Sequence, residues 1–348
     1  MFELEINASK TYTVTVADDL SAFKQKVLPF LKGESVALIT DEKVNALYGD
    51  ALNGFLSGKR LLKIVVKSGE RSKNARNYLK IINALAENGF TREDAVIAFG
   101  GGMIGDLAGF AASTYMRGIT LVSVPTTLLS AVDSSVGGKT AIDLAAGKNL
   151  CGTFYQPSAV YIALSFLRTL PKREVQSGLG EVIKYAFLSD TVNAEDIKRA
   201  DGELVFKCLK IKRDIVNADE KENGARALLN FGHTVGHAIE KLSGYRLSHG
   251  LCVAKGMACA VAVSQRIYGL SDQTVAKMRQ LLEISKHDLT NTFSAADITD
   301  AIKADKKRKG DCVNFIVVKD IGKPQIVKIR FSVLAEIIKE YENKNKAI

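Results

Sequence analysis

Apolar and polar residues alternate in twos at the start of the chain. Phe2, Leu4 and Ile6, then Tyr12, Val14 and Val16, flank Asn7-Ala8-Ser9 and predict a β-hairpin. Short apolar runs follow at 35–39, 61–66, 95–99, 120–124 and 159–163. The run at 35–39 ends in Thr40-Asp41 and leads to a helix over 42–49. That at 61–66 leads through Ser68-Gly69-Glu70-Arg71-Ser72-Lys73 into a helix reaching Leu85. The run at 95–99 enters Gly100-Gly101-Gly102 and then a small-residue segment of helical spacing, 103–116. This alternation of strand, turn and helix continues through residue 165. It predicts a mainly parallel, Rossmann-like α/β sheet with ligands at its strand ends.

The period changes after Pro171. Apolar residues recur every three or four positions over 174–188, 194–218, 225–242, 249–267, 271–282, 296–305 and 331–343, which predicts helices. One hairpin, 312–318 with 325–329, interrupts them. The expected organisation is an α/β domain over 1–170 and an all-α domain over 171–348, without internal repeats or a disordered linker.

Composition narrows the class. The net charge of +10 comes from lysines spread along the chain among acids, with no arginine-rich arm or basic and aromatic stripe. The excess therefore reads as an anionic substrate plus a solvated surface, not nucleic acid. Five scattered cysteines without a C-x-x-C fit reduced thiols in the cytoplasm. The first ten residues hold Glu3 and Glu5 and no apolar stretch, so no signal peptide is expected. The most apolar window, 257–263, is far short of the roughly 18 residues that a membrane span needs.

Two regions carry chemistry. A strand running through glycines into a helix offers backbone N–H groups and a positive helix end to phosphate. With Pro125-Thr126-Thr127, Gly137-Gly138-Lys139-Thr140 and Lys148 close behind, the block points to a nucleotide or a phosphorylated small molecule. Its glycine spacing is neither G-x-G-x-x-G nor the P-loop, and glycines that merely serve turns and helix packing are the competing reading. Asp41 suits a ribose hydroxyl or a helix N-cap. The second region holds three of the four histidines, His233, His237 and His249. His233 and His237 stand at i and i+4, the spacing at which two imidazoles converge on one metal ion. His249 and Glu181 are candidates to complete the shell, against a pair of helices with satisfied polar histidines. Cys252 is a possible soft ligand but suits a buried thiol better.

Motifs along nearly the whole length carry a resemblance. They are Ser68-Gly69-Glu70-x-x-Lys73, Gly100-Gly101-Gly102-x-x-Gly105-Asp106, Arg117-Gly118, Pro125-Thr126-Thr127-Leu128-Leu129 and Val132-Asp133-Ser134-Ser135-Val136-Gly137-Gly138-Lys139-Thr140. Gly147-Lys148-Asn149, Phe154-Tyr155-Gln156-Pro157, Glu181-Val182-Ile183-Lys184 and Arg226-x-x-x-Asn230-x-Gly232-His233-Thr234-x-Gly236-His237 follow in order. The chain resembles the 3-dehydroquinate synthases, sugar phosphate cyclases of the shikimate pathway. The resemblance implies an NAD-binding α/β domain, a helical metal- and substrate-binding domain with the active site between them, and a homodimer. It implies tightly held NAD and a catalytic divalent metal, zinc or alternatively cobalt. The implied substrate is 3-deoxy-D-arabino-heptulosonate 7-phosphate, converted by transient oxidation, phosphate elimination, re-reduction and intramolecular aldol closure.

Residue roles follow from the same resemblance. The implied metal ligands are Glu181, His233 and His249, with His237 a proton relay near the phosphate instead of a ligand. Lys139, Lys184, Lys212, Arg226 and Lys307 are the implied cations around a substrate bearing carboxylate and phosphate, with Asn149 and Asn230 as neutral donors. Arg117 matches an arginine that reaches the neighbouring subunit's phosphate site, and Asp133 one between nicotinamide and substrate hydroxyls. For NAD the matches are Asp41, Glu70, Lys73, Gly101, Gly102, Asp106, Thr126, Thr127, Lys148 and Thr169. Asp41 and Glu70 favour NAD over NADP, because a 2′-phosphate beside two acids is repelled. Two positions depart from the family pattern: Leu251 follows His249-Gly250 where glutamate is usual, and Lys43 stands where asparagine is usual. Rival readings are a sister cyclase acting on sedoheptulose 7-phosphate or glucose 6-phosphate, and a metal-dependent polyol dehydrogenase. Those sugar phosphates lack a carboxylate, so Lys212 with Arg226 and Asn230 favours dehydroquinate formation.

Overall fold

The computed structural model describes residues 1–290, 292–305 and 310–346. Its contacts divide the chain into two units, Met1–Pro171 with Asp201–Lys221, and Lys172–Ala200 with Glu222–Ile348.

The first unit begins with the hairpin of β1 (Phe2–Asn7) and β2 (Thr11–Ala17), in register from Phe2↔Val16 to Asn7↔Thr11. Next come α1 (Phe23–Val27), β3 (Ser35–Asp41), α2 (Glu42–Tyr48), β4 (Arg60–Val66) and α3 (Ala75–Glu87). After these lie β5 (Ala95–Gly100), α4 (Gly102–Thr114), β6 (Thr120–Pro125), β7 (Lys139–Leu144), β8 (Gly147–Phe154) and β9 (Ala159–Ala163). Seven strands form one sheet, ordered β1-β2-β9-β6-β5-β3-β4, in which β1 with β2 is the antiparallel pair and the others are parallel. Alternate residues of the central strands feed two cores. Ala37, Ile39, Val96 and Ala98 pack with Ile81, Leu85, Leu107 and Ala111, while Val36, Leu38, Ile97 and Phe99 pack with Phe23 and Val27. Burial on both faces is why these strands read as unbroken apolar runs.

The predicted alternation fails at one place. Residues 139–154 form an antiparallel ribbon, β7 with β8, apart from the main sheet. Only Ala145 and Ala146 separate the two strands, too few for a crossover helix, so they close as a hairpin.

Beyond Pro171 lie α5 (Lys172–Leu188), α6 (Ala194–Arg199) and α7 (Gly202–Ala218). The single helix expected over 194–218 is thus two. Ala200 turns left-handed at φ 49°, and the Asp201 side chain accepts from the Leu204 N–H to start the next helix. Helix α7, expected in the helical half, belongs to the first unit, where it packs on β1, β2 and the turn carrying Asp133. Phe206 stacks on Phe2 with ring centroids 4.9 Å apart.

The second unit continues with α8 (His233–Leu242), α9 (His249–Tyr268), α10 (Asp272–Glu283), α11 (Ala295–Asp305), the hairpin β10 (Cys312–Val318) and β11 (Pro324–Arg330), and α12 (Phe331–Lys346). The helix expected over 225–242 is instead a 3₁₀ turn, Ala225–Asn230, and then α8. Gly232 separates them at φ +79°, a conformation that glycine adopts without strain. Helices α5, α8 and α9 touch through backbone. A Cβ on Gly250 would lie 1.9 Å from the Ser177 carbonyl oxygen, and one on Gly256 1.9 Å from that of Gly232. Small residues at these crossings bring three helices to one point. No helix among the described residues is long and apolar enough to cross a membrane.

Candidate active site

In the first unit the predicted cofactor residues follow the carboxyl ends of four neighbouring strands, β6-β5-β3-β4. Asp41 closes β3, Glu70 follows β4, Gly101 and Gly102 follow β5, and Thr126 and Thr127 follow β6. Helix α4 starts at Gly102 without a side-chain cap, which leaves its first N–H groups for an incoming anion. The glycines are needed there, since a Cβ on Gly101 would meet Thr127 Cγ2 at 3.0 Å and one on Gly102 would meet Ser134 Oγ at 2.9 Å. The buried Thr126 hydroxyl oxygen has no hydrogen-bond partner, and a bound polar group would satisfy it. Asp41 works as the N-cap of α2: its Oδ1 accepts from the Lys43 and Val44 N–H groups and from Ser68 Oγ at 2.5 Å. Lys43 thus lends its backbone to that cap.

Lys73 is the hub of this region. Its buried ammonium lies 2.7 Å from Glu70, 3.0 Å from Asp106 and 3.8 Å from Asp143, and donates to Asn149 Oδ1 at 2.7 Å. Burial opposes its charge, but Asp106, Glu70 and Asp143 outweigh that and raise its pKa. Asn149, held at φ 56°, also donates its backbone N–H to Asp143 Oδ1. Lys139 stands exposed at the start of β7 and Lys148 half-buried on β8. The exposed Thr169 touches the Tyr48 hydroxyl. Arg117 is exposed and left-handed, following a left-handed Met116. Buried Lys212 on α7 is ion-paired with Asp133 and also reaches its carbonyl.

In the second unit Glu181 of α5 and the two histidines that open α8 and α9 converge. Glu181 Oε1 lies 3.0 Å from His249 Nε2 and 3.4 Å from His233 Nε2, and its Oε2 lies 2.6 Å from Lys184 Nζ. His233 Nδ1 faces the Phe231 carbonyl at 3.1 Å, which turns Nε2 toward Glu181. One ligand atom from each of Glu181, His233 and His249 lies within 4.8 Å of the others. One carboxylate and two imidazoles are a donor set that suits a catalytic zinc ion. His237, paired with His233 by spacing alone, is exposed; its ring lies 5.2 Å from that of His233, and it groups instead with Glu240 and His249. Arg226 is buried in the 3₁₀ turn, and Asn230 donates to Glu222 Oε1 at 2.5 Å. Cys252 is fully buried and stands in neither ligand group. Lys307 lies outside the described residues.

Burial would push the Glu181 carboxyl up, but the Lys184 charge and both histidines hold it well below the usual range. Partial burial works against a charged His249, yet hydrogen bonds and charge from Glu181 and Glu240 raise it to about 10. A folded pKa above the unfolded value of 6.5 stabilises the metal-free protein fully below that value. The contribution disappears as pH rises through about 10. The melting temperature of chelator-treated protein should therefore fall across this window, and His249→Asn should flatten the fall.

Glu222, Glu240 and Asp143 were not singled out by sequence. Each is an acid that reads as a solvated helix face or turn until its partner is seen.

Residues 63–177 match the family described as 3-dehydroquinate synthase N-terminal, and residues 178–308 that described as 3-dehydroquinate synthase C-terminal. A 3-dehydroquinate synthase of Clostridium acetobutylicum is 41% identical over 323 residues, 88% of this chain and 89% of that protein. The solved structure of a 2-deoxy-scyllo-inosose synthase, complexed with carbaglucose-6-phosphate, NAD+ and Co2+, superposes with a TM-score of 0.88 at 25% identity. It covers 97% of this chain and 99% of its own. A 2-epi-5-epi-valiolone synthase from Streptomyces hygroscopicus, with NAD+ and Zn2+ bound, shares the fold with a TM-score of 0.86 at 22% identity, over 99% of this chain and 100% of its own.

Proposed function

The chain belongs to the 3-dehydroquinate synthase family, and on that footing we propose that it converts 3-deoxy-D-arabino-heptulosonate 7-phosphate to 3-dehydroquinate and phosphate. The observation that carries this reading is the convergence of Glu181, His233 and His249 in a chain 41% identical to such a synthase. These three residues would hold a divalent metal, zinc or cobalt. NAD would lie along the strand ends, with its pyrophosphate at Gly101, Gly102 and the start of α4 and its riboses at Asp41 and Glu70. Thr126, Thr127, Lys148 and Thr169 complete the cofactor set, and Lys73 with Asp106 fixes its floor. When bound, NAD supplies reversible hydride acceptance and the metal polarises a substrate hydroxyl.

The remaining work falls to the chain's own side chains. A substrate with carboxylate and phosphate needs several cations and donors. We assign Lys139, Lys184, Lys212, Arg226 and Lys307 to that task, with Asn149 and Asn230. Lys73 accounts for the polarity of Asn149: by donating to Oδ1 it leaves the amide –NH2 to face an anion. Asn230 differs: it gives one amide N–H to Glu222 Oε1, which leaves its second N–H for the substrate. Asp133, held by Lys212, is assigned to the substrate hydroxyls, and the exposed His237, beside the Glu181 cluster without being one of its three ligands, to proton relay. The first unit is thus the NAD-binding domain and the helical unit the metal- and substrate-binding domain. We further assign the protein to the cytoplasm as a homodimer, in which Arg117 serves the neighbouring subunit.

The deciding experiment follows phosphate release and NADH absorbance together, with 3-deoxy-D-arabino-heptulosonate 7-phosphate as substrate. Phosphate released without accumulating NADH, and abolished by chelator, is the expected result. Accumulating NADH would move the protein to a polyol dehydrogenase. Turnover only with sedoheptulose 7-phosphate or glucose 6-phosphate would move it to a sister cyclase.

A further inference from the structure

We propose that Glu240 is the positioning residue behind the metal site: its carboxylate holds His249 through Nδ1, so that Nε2 is presented toward Glu181 and His233. The inference rests on the metal reading above and adds a residue to it. Glu240 Oε2 lies 3.5 Å from His249 Nδ1, while Nε2 of the same ring lies 3.0 Å from Glu181. An imidazole held by a carboxylate on one nitrogen keeps its proton there and offers the other nitrogen as ligand.

Three further observations support the assignment. Glu240 is buried, at 7% exposure, so its charge is committed to the interior. It stands seven residues after His233 on α8, two turns along the same face, so one helix supplies a ligand and the support of its neighbour's ligand. Its own carbonyl accepts from Ser243 Oγ at 2.7 Å and from the Tyr245 N–H at 3.0 Å, which fixes the end of α8. The position after His249-Gly250 is Leu251, which has no polar atom in its side chain. The carboxylate behind His249 comes from α8, the helix before its own.

The test uses the full chain, stripped of metal, with Glu240→Gln and Glu240→Ala. Zinc affinity is read by competition with a chromophoric chelator, and ligand geometry by the visible absorption of the cobalt-loaded protein. Wild type should bind one zinc. Glu240→Ala should weaken zinc binding roughly tenfold to 100-fold and shift the cobalt bands. The isosteric Glu240→Gln should weaken it by about threefold to tenfold, since a neutral oxygen accepts less strongly than a carboxylate. Glu240→Gln also carries the test if the alanine variant does not fold. Unchanged affinity and cobalt bands in either folded variant would overturn the proposal, even with a lowered melting temperature. Two zinc ions in wild type, one lost on substitution, would also overturn it by making Glu240 a ligand. Wild type that binds no zinc would sink the metal reading itself, and this inference with it.

Discussion

Glu181→Gln should leave the protein without bound zinc and lower kcat/KM by about 10³-fold or more. The carboxylate is the one anion among the three converging ligands, and it is buried. Exchanging it for an amide removes the charge that favours a divalent cation and weakens the acceptor that both histidines face. A metal that polarises a reacting oxygen supplies several kcal/mol of stabilisation, and about 1.4 kcal/mol is a factor of ten in rate. The substitution also takes from buried Lys184 its carboxylate partner at 2.6 Å. Breaking such a pair costs about 3–5 kcal/mol, so the melting temperature should fall too. Metal analysis, phosphate release and a melting curve on one preparation separate these effects. The idea fails if the variant retains stoichiometric zinc and more than about a tenth of wild-type turnover.

Gly256→Ala should be nearly as damaging, though it touches no assigned ligand. The added methyl would sit 1.9 Å from the Gly232 carbonyl oxygen and 2.7 Å from the Gly236 nitrogen, both backbone atoms that cannot rotate away. Overpacking a core costs about 1–3 kcal/mol when side chains can adjust. Here α8 itself must move, so the upper end, about 3 kcal/mol, is expected. Because Gly232 immediately precedes His233, the displaced segment carries a proposed ligand. Zinc affinity should fall together with stability, whereas Glu181→Gln removes the ligand from an otherwise intact crossing. A variant that melts like wild type would show that the helices separate at no cost.

Much of this was legible in the chain, for reasons that differ by element. Strands β3 and β5 declared themselves because both of their faces are buried. Helix α9 did so through its long apolar period. The β7–β8 ribbon was misread because a glycine pair before a lysine looks the same ahead of a helix or a hairpin. The breaks at Ala200 and Gly232 were missed because apolar spacing continues across them, while the left-handed residue that stops each helix leaves little trace in periodicity. At the site, spacing favoured His233 with His237, since i and i+4 share a helix face. The structure instead sets the Glu181 carboxylate between His233 and His249, a meeting of three helices that depends on Gly180, Gly250 and Gly256. Glu240 and Glu222 were invisible, because an acid on a helix shows its partner only in three dimensions.

Helix α7 carries a consequence for synthesis and inheritance. The chain leaves the first unit after Pro171, returns at Asp201 and leaves again after Lys221. During translation the α/β sheet therefore waits for residues 201–221 to emerge from the ribosome before the outer face of β1 and the turn holding Asp133 are covered. Phe2 finds its stacking partner Phe206 only some two hundred residues later in the chain. A gene split or recombined at residue 171 would hand on a sheet without its last helix, and a helical half with a stray one. No single cut in the sequence separates the two units.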